Sequence, residues 1–200
     1  MKITSIKQQI KFPDRYSIYI DDEYAFSLSA NELLNQQLNV GDELKKSELK
    51  DFKDISETDK AYRAVLNLLS RRSRSVWEVE QYLKLKGYKN NTIVKILNKL
   101  NKKGYLNDAE FAINWLQNRR LLKNISKRRI KQELQQKHIS DKIILEVLSQ
   151  DSTNEIDVIK NIINNKKNQT RYNNQQKLIA YLIRQGFAYH DVKQAIENPS

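Results

Sequence analysis

The sequence has no cysteine, only two prolines and only four glycines, and each scarcity excludes a class of protein. Without cysteine there are no disulfides, thiolate metal sites or cysteine nucleophiles. With so little Pro and Gly, and abundant Leu, Ile, Lys, Gln and Asn, the composition favours helices over a turn-rich all-β fold. No apolar run approaches the ~18 residues of a membrane span, and residues 1–7 lack the apolar core of a signal peptide. We therefore expect a cytoplasmic protein without membrane contact.

Signatures of catalysis are equally scarce. His138 and His190 are the only histidines, and neither has a second ligand type at metal-binding spacing. No glycine-rich loop precedes a Lys and a Ser or Thr, as a phosphate-binding loop would require. Carboxylates are fewest where positive charge is densest, which disfavours a metal-dependent nuclease. The sequence therefore predicts no catalytic residue, no metal and no cofactor, and a structural or surface role for His138.

The net charge of +12 is unevenly distributed. Residues 1–60 carry 9 Lys and Arg against 12 Asp and Glu, a net charge of −3. Residues 61–150 carry 20 against 7, a net charge of +13, and residues 151–200 carry +2. A basic segment this dense within structured sequence indicates a polyanionic partner such as nucleic acid or a nucleoprotein. The alternative is a solvated helical surface in a protein rich in Lys and Asn.

The first 55 residues show the only β pattern. Tyr16, Ile18 and Ile20 alternate with polar residues, and the acidic turn 21–23 leads into a second alternating stretch at 24–28. This pattern predicts a small antiparallel meander that docks on the following helices. Ser29 is predicted to begin a short helix with a capping box to Glu32. Helices are expected from residue 47 onward, with a new helix capped at Ser56.

A junction at residues 104–112 organises the rest of the chain. Gly104 is placed to end one helix in a left-handed conformation, and Asn107 with Glu110 is placed to cap the next. On either side lie units of three short helices. Ser75 and Ser126 are predicted to cap the second helices of the first two units, and Ser140 is predicted to cap a third helix. Superposing the second helices aligns Ser75 with Ser126, and it aligns Gly87 with His138. A third copy follows, in which Gly186 is the equivalent helix end.

Repeats with a period near 50 predict an array whose units contact mainly their neighbours. The expected fold is mainly α: tandem three-helix repeats forming an elongated curved array, with a small N-terminal antiparallel β meander. The predicted segments are an N-terminal extension at 1–55 and three-helix repeats at 56–106, 107–150 and 151–200. The alternative is chance similarity among amphipathic helices.

Three basic clusters are the candidate binding residues. The clusters at 71–74 and 119–120 fall at helix ends, where the helix dipole favours cations and gives them a structural explanation. The cluster at 127–131 falls in the first turns of a helix, where its cations oppose the helix dipole. We therefore expect an anion to bind there. Trp77 and Trp115 are expected to be core residues rather than base-stacking platforms. The candidate nucleic-acid-binding and partner-binding residues are Arg71, Arg72, Arg74, Arg119, Arg120, Lys127, Arg128, Arg129 and Lys131.

These segments together resemble the RecX family of bacterial recombination regulators. The resemblance rests on residues 70–75, Lys86-Gly87-Tyr88, the junction 104–112, and Arg119 followed by Ser126, Ile130 and Leu134. Residues 16–28 are similar to the N-terminal extension of members from low-GC Gram-positive bacteria. Two departures stand out: His138 replaces the usual Gly of the second repeat, and Gram-positive members are often longer, with further repeats.

The resemblance implies a non-enzymatic regulator of RecA in recombination and DNA repair. Such a protein binds the RecA filament on single-stranded DNA within its groove and restrains ATP hydrolysis and strand exchange. Contact with DNA itself, single-stranded or double-stranded, is a further expectation. Separately, we expect a monomer. A different hypothesis is a helical-repeat DNA-binding protein, sequence-tolerant or sequence-specific, that acts without RecA.

Overall fold

The computed structural model describes residues 1–166, 169, 172 and 174–198. Within these residues, no helix is long and apolar enough to cross a membrane. The chain forms two compact units, Met1–Ser73 with Val79–Tyr105, and Arg74–Glu78 with Leu106–Ser200. The strands are β1 (Ile3–Gln8), β2 (Arg15–Ile20) and β3 (Glu23–Ser29). The helices are α1 (Ala30–Gln36), α2 (Lys46–Leu69), α3 (Val76–Leu85), α4 (Asn90–Lys102), α5 (Asp108–Leu122), α6 (Lys127–Gln136), α7 (Asp141–Ser149), α8 (Glu155–Lys166), α9 (Gln175–Arg184) and α10 (Tyr189–Glu197).

The three strands form an antiparallel sheet in the order β1-β2-β3. Asp21 and Asp22 join β2 to β3 with φ angles of 48° and 68°. Two left-handed residues give a tight turn whose twist matches that of the flanking strands. The predicted meander is therefore confirmed.

The sheet buries its apolar face against α2. Ile18 and Leu28 are fully buried, and the ring of Phe26 stacks on the ring of Phe52 from α2 at 5.7 Å between centroids. Three short strands cannot bury enough apolar surface alone, so this helix completes the core. The expectation that the meander docks on a following helix is confirmed.

Helix α2 differs from the prediction because it continues through Ser56 without a break. Ser56 does not cap a helix; its buried hydroxyl donates to the Ser27 carbonyl at 2.6 Å. The predicted helix start at Ser56 is therefore wrong, since the partner of this hydroxyl lies on β3. The predicted boundary between residues 55 and 56 falls inside α2, and the division into four segments stays a prediction.

The start of α1 agrees with the prediction only in part. The Ser29 hydroxyl accepts from the Glu32 amide, so the predicted cap is confirmed. The reciprocal bond of a capping box is not formed by Glu32, because the Ser29 amide donates to Asp59 Oδ2 at 2.8 Å. Asp59 also pairs with the buried Arg15 at 2.7 Å, so a tertiary contact takes the place of the local one.

The second unit contains two three-helix cores. Helices α5, α6 and α7 pack around Phe111, Ile130 and Ile144. Helices α8, α9 and α10 pack around Ile159 and Leu182, among others. The predicted mainly α class, with tandem three-helix units and an N-terminal meander, is confirmed.

The predicted helix ends share one backbone conformation. Gly87, Gly104 and Gly186 have φ angles of 78°, 72° and 91°, and His138 adopts the same left-handed region with φ 56°. A residue in this region after a helix lets the next amide reach back to the last carbonyls. At the start of α5 the Asn107 side chain accepts from the amides of Ala109 and Glu110, as the sequence predicts.

Candidate nucleic-acid interface

The start of α6 contacts the end of α9 through Ser126, which is fully buried. Its hydroxyl accepts from the Arg129 amide at 3.1 Å and donates to the Gln185 carbonyl at 2.8 Å. One hydroxyl thus caps its own helix and satisfies a terminal carbonyl of another helix. Gly186 follows at once, and a Cβ added there would lie 2.6 Å from Ser126 Oγ.

The start of α3 contacts the end of α6 in the same way. The Ser75 hydroxyl accepts from the Glu78 amide at 3.2 Å and donates to the Lys137 carbonyl at 3.0 Å. Lys137 Nζ also lies 2.6 Å from Glu78 Oε1. His138 then stacks its ring on Trp77 at 4.2 Å between centroids. Both aligned serines therefore make equivalent contacts, and His138 has the structural role expected of it.

Each of these two helix starts also receives a carboxylate. The Lys127 amide at the start of α6 donates to Glu155 Oε1 at 2.7 Å, and the Val76 amide at the start of α3 donates to Asp108 Oδ1 at 2.9 Å. Burial raises the pKa of Asp108, although the Val76 hydrogen bond opposes the shift. An anion does lie at the start of α6, and it is the carboxylate of Glu155. Glu155 is 28 residues from Lys127 in the sequence, so no local pattern pointed to it.

Two of the predicted cations, Arg120 and Lys127, pair with Asp151. Arg120 is 14% exposed, and its Nη2 lies 2.6 Å from Asp151 Oδ2, while its Nη1 donates to the Ile125 carbonyl at 2.7 Å. Lys127 Nζ donates to the Asp151 carbonyl at 2.7 Å and lies 3.9 Å from Asp151 Oδ2. Burial alone would raise the pKa of Asp151, but hydrogen bonds from Thr153 and Arg120 outweigh it and hold the pKa below its ordinary value. Arg120 and Lys127 thus have intramolecular partners.

Arg119 belongs to a second intramolecular cluster. Its Nε lies 2.6 Å from Glu133 Oε2, and its guanidinium carbon lies 4.3 Å from the centroid of the Trp115 ring. The Trp115 indole N–H donates to the same carboxylate oxygen at 2.9 Å. Trp115 also stacks on Phe111, so it packs at the edge of the core, as the sequence predicts. The cluster ties α5 to α6.

Three predicted cations of α6 point away from its core-facing residues. Ile130 and Leu134 are fully buried, whereas Arg128 and Arg129 are exposed and Lys131 is partly exposed. In the part of the chain that the structure describes, these three side chains form no ion pair. We call Arg128, Arg129 and Lys131 the α6 basic face.

The remaining candidates lie near the end of α2. Arg71 and Arg72 are exposed residues of the first unit, and Arg72 Nη1 donates to the Ser73 carbonyl at 2.9 Å. Arg74 is half-buried and belongs to the second unit. The roles of all nine candidates in binding stay predictions. Among the described residues, no group of three His, Cys, Asp or Glu residues could hold a metal ion.

Family comparisons match three segments of the chain. The regulatory protein RecX N-terminal domain matches residues 1–45, the first RecX three-helix domain matches 61–100, and the second matches 107–148. The regulatory protein RecX of Bacillus subtilis (strain 168) is 31% identical over 200 residues, covering 98% of this chain and 76% of that protein. The regulatory protein RecX of Listeria monocytogenes serotype 4a (strain HCC23) is 34% identical over 202 residues, covering 98% and 74%.

Solved structures agree with this assignment. A crystal structure of regulatory protein RecX superposes with a TM-score of 0.77 at 25% identity, covering 98% of this chain and 99% of that one. The crystal structure of RecX from Lactobacillus salivarius gives a TM-score of 0.60 at 26% identity, covering 70% and 95%. From the three matched domains and these whole-chain similarities, the chain belongs to the RecX family of regulatory proteins.

Proposed function

We propose that the chain is a non-enzymatic regulator of RecA that binds the RecA filament on single-stranded DNA. Bound in the filament groove, it restrains ATP hydrolysis and strand exchange in recombination and DNA repair. The observation that carries this proposal is its similarity, over 98% of its length, to proteins named regulatory protein RecX.

The α6 basic face supports contact with a polyanion. Cations that are already paired gain little from phosphate, because a new partner must compete with the existing one. Arg128, Arg129 and Lys131 have no such internal competitor among the described residues. We therefore assign phosphate contact first to these three residues, with Arg71 as a further candidate. Arg119, Arg120 and Lys127 are assigned mainly to holding α5 and α6 in position.

The decisive experiment measures ATP hydrolysis by RecA on single-stranded DNA, together with strand exchange, at increasing concentrations of the protein. We expect both rates to fall at protein concentrations stoichiometric with RecA or lower. Unchanged rates at stoichiometric protein would exclude regulation of RecA. Binding to DNA in the absence of RecA, without any effect on RecA, would instead establish the second hypothesis of an independent DNA-binding protein.

The α6 basic face is tested by replacing Arg128, Arg129 and Lys131 together with Ala. Each phosphate contact on single-stranded DNA contributes about 0.7 to the slope of log affinity against log salt, so loss of three contacts lowers the slope by about 2. A matched control replaces Lys46, Lys50 and Lys53 of α2 with Ala. These substitutions remove the same charge from exposed positions. Equal effects of the two triple variants would show that only net charge matters.

A further inference from the structure

A groove of about 410 Å³ lies in the first unit between the β hairpins and α2. Phe12 and Tyr24 line it from the hairpins, and Lys60, Arg63 and Asn67 line it from α2. The family comparisons assign no ligand to this groove, and neither the predicted candidates nor the α6 basic face belong to it. We call it the Phe12 groove.

Two large aromatic rings of the groove are open to solvent. Phe12 is 44% exposed and Tyr24 is 53% exposed. The guanidinium carbon of Arg63 lies 4.3 Å from the centroid of the Phe12 ring, and Tyr24 makes an edge contact with Tyr19 at 6.0 Å. A flat ring held by a neighbour on one side, with much of its surface exposed, offers a platform on which a flat ligand can stack.

The charged groups of the groove favour an anion. Arg15 is buried and paired with Asp59 at 2.7 Å, so it is neutralised. Arg63 Nη2 pairs with Asp14 Oδ1 at 3.0 Å, but its Nη1 is buried and donates to no acceptor within the described residues. The Arg63 side chain retains 29% exposure, so it borders the groove with one donor unused by the described residues. Lys60 is exposed and forms no ion pair in the described ranges.

The remaining polar groups suit the edge of a base. The Gln9 side chain lines the groove, and its Nε2 donates to Ser17 Oγ at 2.9 Å, which leaves the amide oxygen as an acceptor. Asn67 adds an exposed amide with both a donor and acceptor. An acidic peptide without aromatic, proline or aliphatic side chains would use the cations but not the two exposed rings. A nucleotide uses the rings, the amides and the cations together.

We propose that the Phe12 groove binds one nucleotide unit of a single-stranded nucleic acid. The base stacks on Phe12, its phosphate lies at Arg63 and Lys60, and Tyr24 lines the same groove. Because residues 1–60 carry a net charge of −3, the groove contacts a single phosphate rather than a run of the backbone. The proposal goes beyond the α6 basic face, since it assigns a separate site in the first unit, and that site can be tested without RecA.

The test measures binding of a fluorescein-labelled oligothymidylate of about 20 nucleotides, longer than the site of a single small domain, by anisotropy without RecA. The protein carries Arg71, Arg128, Arg129 and Lys131 changed to Ala, so the other residues assigned to phosphate contact are absent. We expect a slope of log affinity against log salt of about −0.7, as one phosphate contact gives. Phe12→Leu keeps apolar bulk but removes the ring, and we expect about a 5-fold or greater loss of affinity.

Controls and a second measurement keep the outcomes separate. Ile10→Ala changes a fully exposed residue of the same loop and is expected to leave binding unchanged. Photo-cross-linking of a bromodeoxyuridine oligonucleotide to the unaltered protein should label Phe12 or Tyr24, independently of any variant's folding. Competition by thymidine monophosphate at equal concentration would identify a free nucleotide as the ligand instead of a strand.

Two results would overturn the proposal. One is unchanged oligonucleotide affinity in Phe12→Leu together with no cross-link to either ring. The other is unchanged oligonucleotide affinity combined with weaker inhibition of RecA, which would show that the groove binds protein. Failure of the RecA assays alone leaves the direct binding result standing, so the two proposals fail separately.

Discussion

The Ser126 hydroxyl lies 2.8 Å from the Gln185 carbonyl oxygen, and it also caps α6 through the Arg129 amide. Ser75 makes the equivalent pair of bonds to the Lys137 carbonyl and the Glu78 amide. The aligned segments of the sequence therefore make the same contacts. The serine that caps α3 binds the end of α6, and the serine that caps α6 binds the end of α9.

Replacing Ser126 with Ala should destabilise the second unit by about 1–3 kcal/mol. The change removes a helix cap and leaves the part-buried Gln185 carbonyl with one bond fewer. Chemical denaturation followed by circular dichroism measures the difference. Ser140→Ala is the matched control, because Ser140 caps α7 but is exposed. Its cost should stay nearer ~1 kcal/mol, and equal costs for the two variants would assign no stability to the Gln185 contact.

Gly186→Ala should destabilise the protein more than Gly104→Ala. Both glycines have positive φ, which costs an alanine about 1–2 kcal/mol. Only at Gly186 would the new Cβ also meet a neighbour, Ser126 Oγ at 2.6 Å; at Gly104 there is nothing within 4 Å. In a Ser126→Ala background the difference between the two glycine variants should shrink. A difference that persists unchanged would place the strain elsewhere.

Arg120→Ala should cost about 3–5 kcal/mol, as loss of one partner from a buried pair typically does. The Asp151 side chain is only 5% exposed and would lose its main cation. Arg128→Ala removes the same charge from an exposed position and should change stability by about 0.5 kcal/mol or less. Equal stabilities would show that the Arg120 pair contributes nothing to folding. The comparison also separates a structural arginine from a candidate for phosphate contact.

Acid should act in opposite directions through Asp151 and Asp108. The pKa of Asp151 is lowered in the folded protein, so its contribution is present above the ordinary pKa of about 3.9 and is lost as pH falls through the folded value. The pKa of Asp108 is raised, chiefly by burial, so its ionised form opposes folding and its contribution improves as pH falls through this range.

Both effects are measured as the free energy of unfolding in urea, for the unaltered protein, Asp151→Asn and Asp108→Asn. The pH range of about 7 to 3.5 crosses the ordinary pKa of an aspartate carboxyl. The stability difference between the unaltered protein and Asp151→Asn should shrink towards low pH. The difference for Asp108→Asn should shift in favour of the unaltered protein. Parallel pH profiles for all three proteins would contradict both assignments.

Local patterns predicted much of this fold. The alternation at residues 16–28 predicted the meander, and Ser75, Asn107, Ser126 and Ser140 predicted helix starts, because capping depends on amides within one turn. The same reasoning failed at Ser56, which lies inside α2 and donates its hydroxyl to the Ser27 carbonyl of β3, 29 residues away. Charge counting likewise selected Arg119, Arg120 and Lys127, but it could not find Glu133, Asp151 and Glu155 as their partners.

The sequence by itself therefore determined the helical class, the three-helix repeats, their left-handed ends and the absence of cysteine chemistry. Each of these follows from composition or from interactions within a few residues. Only the tertiary structure decided which cations are neutralised, that Ser126 meets Gln185, and that Phe12 lies beside Arg63. Those pairs lie up to 59 residues apart, and their energies depend on burial and distance, which no local pattern encodes.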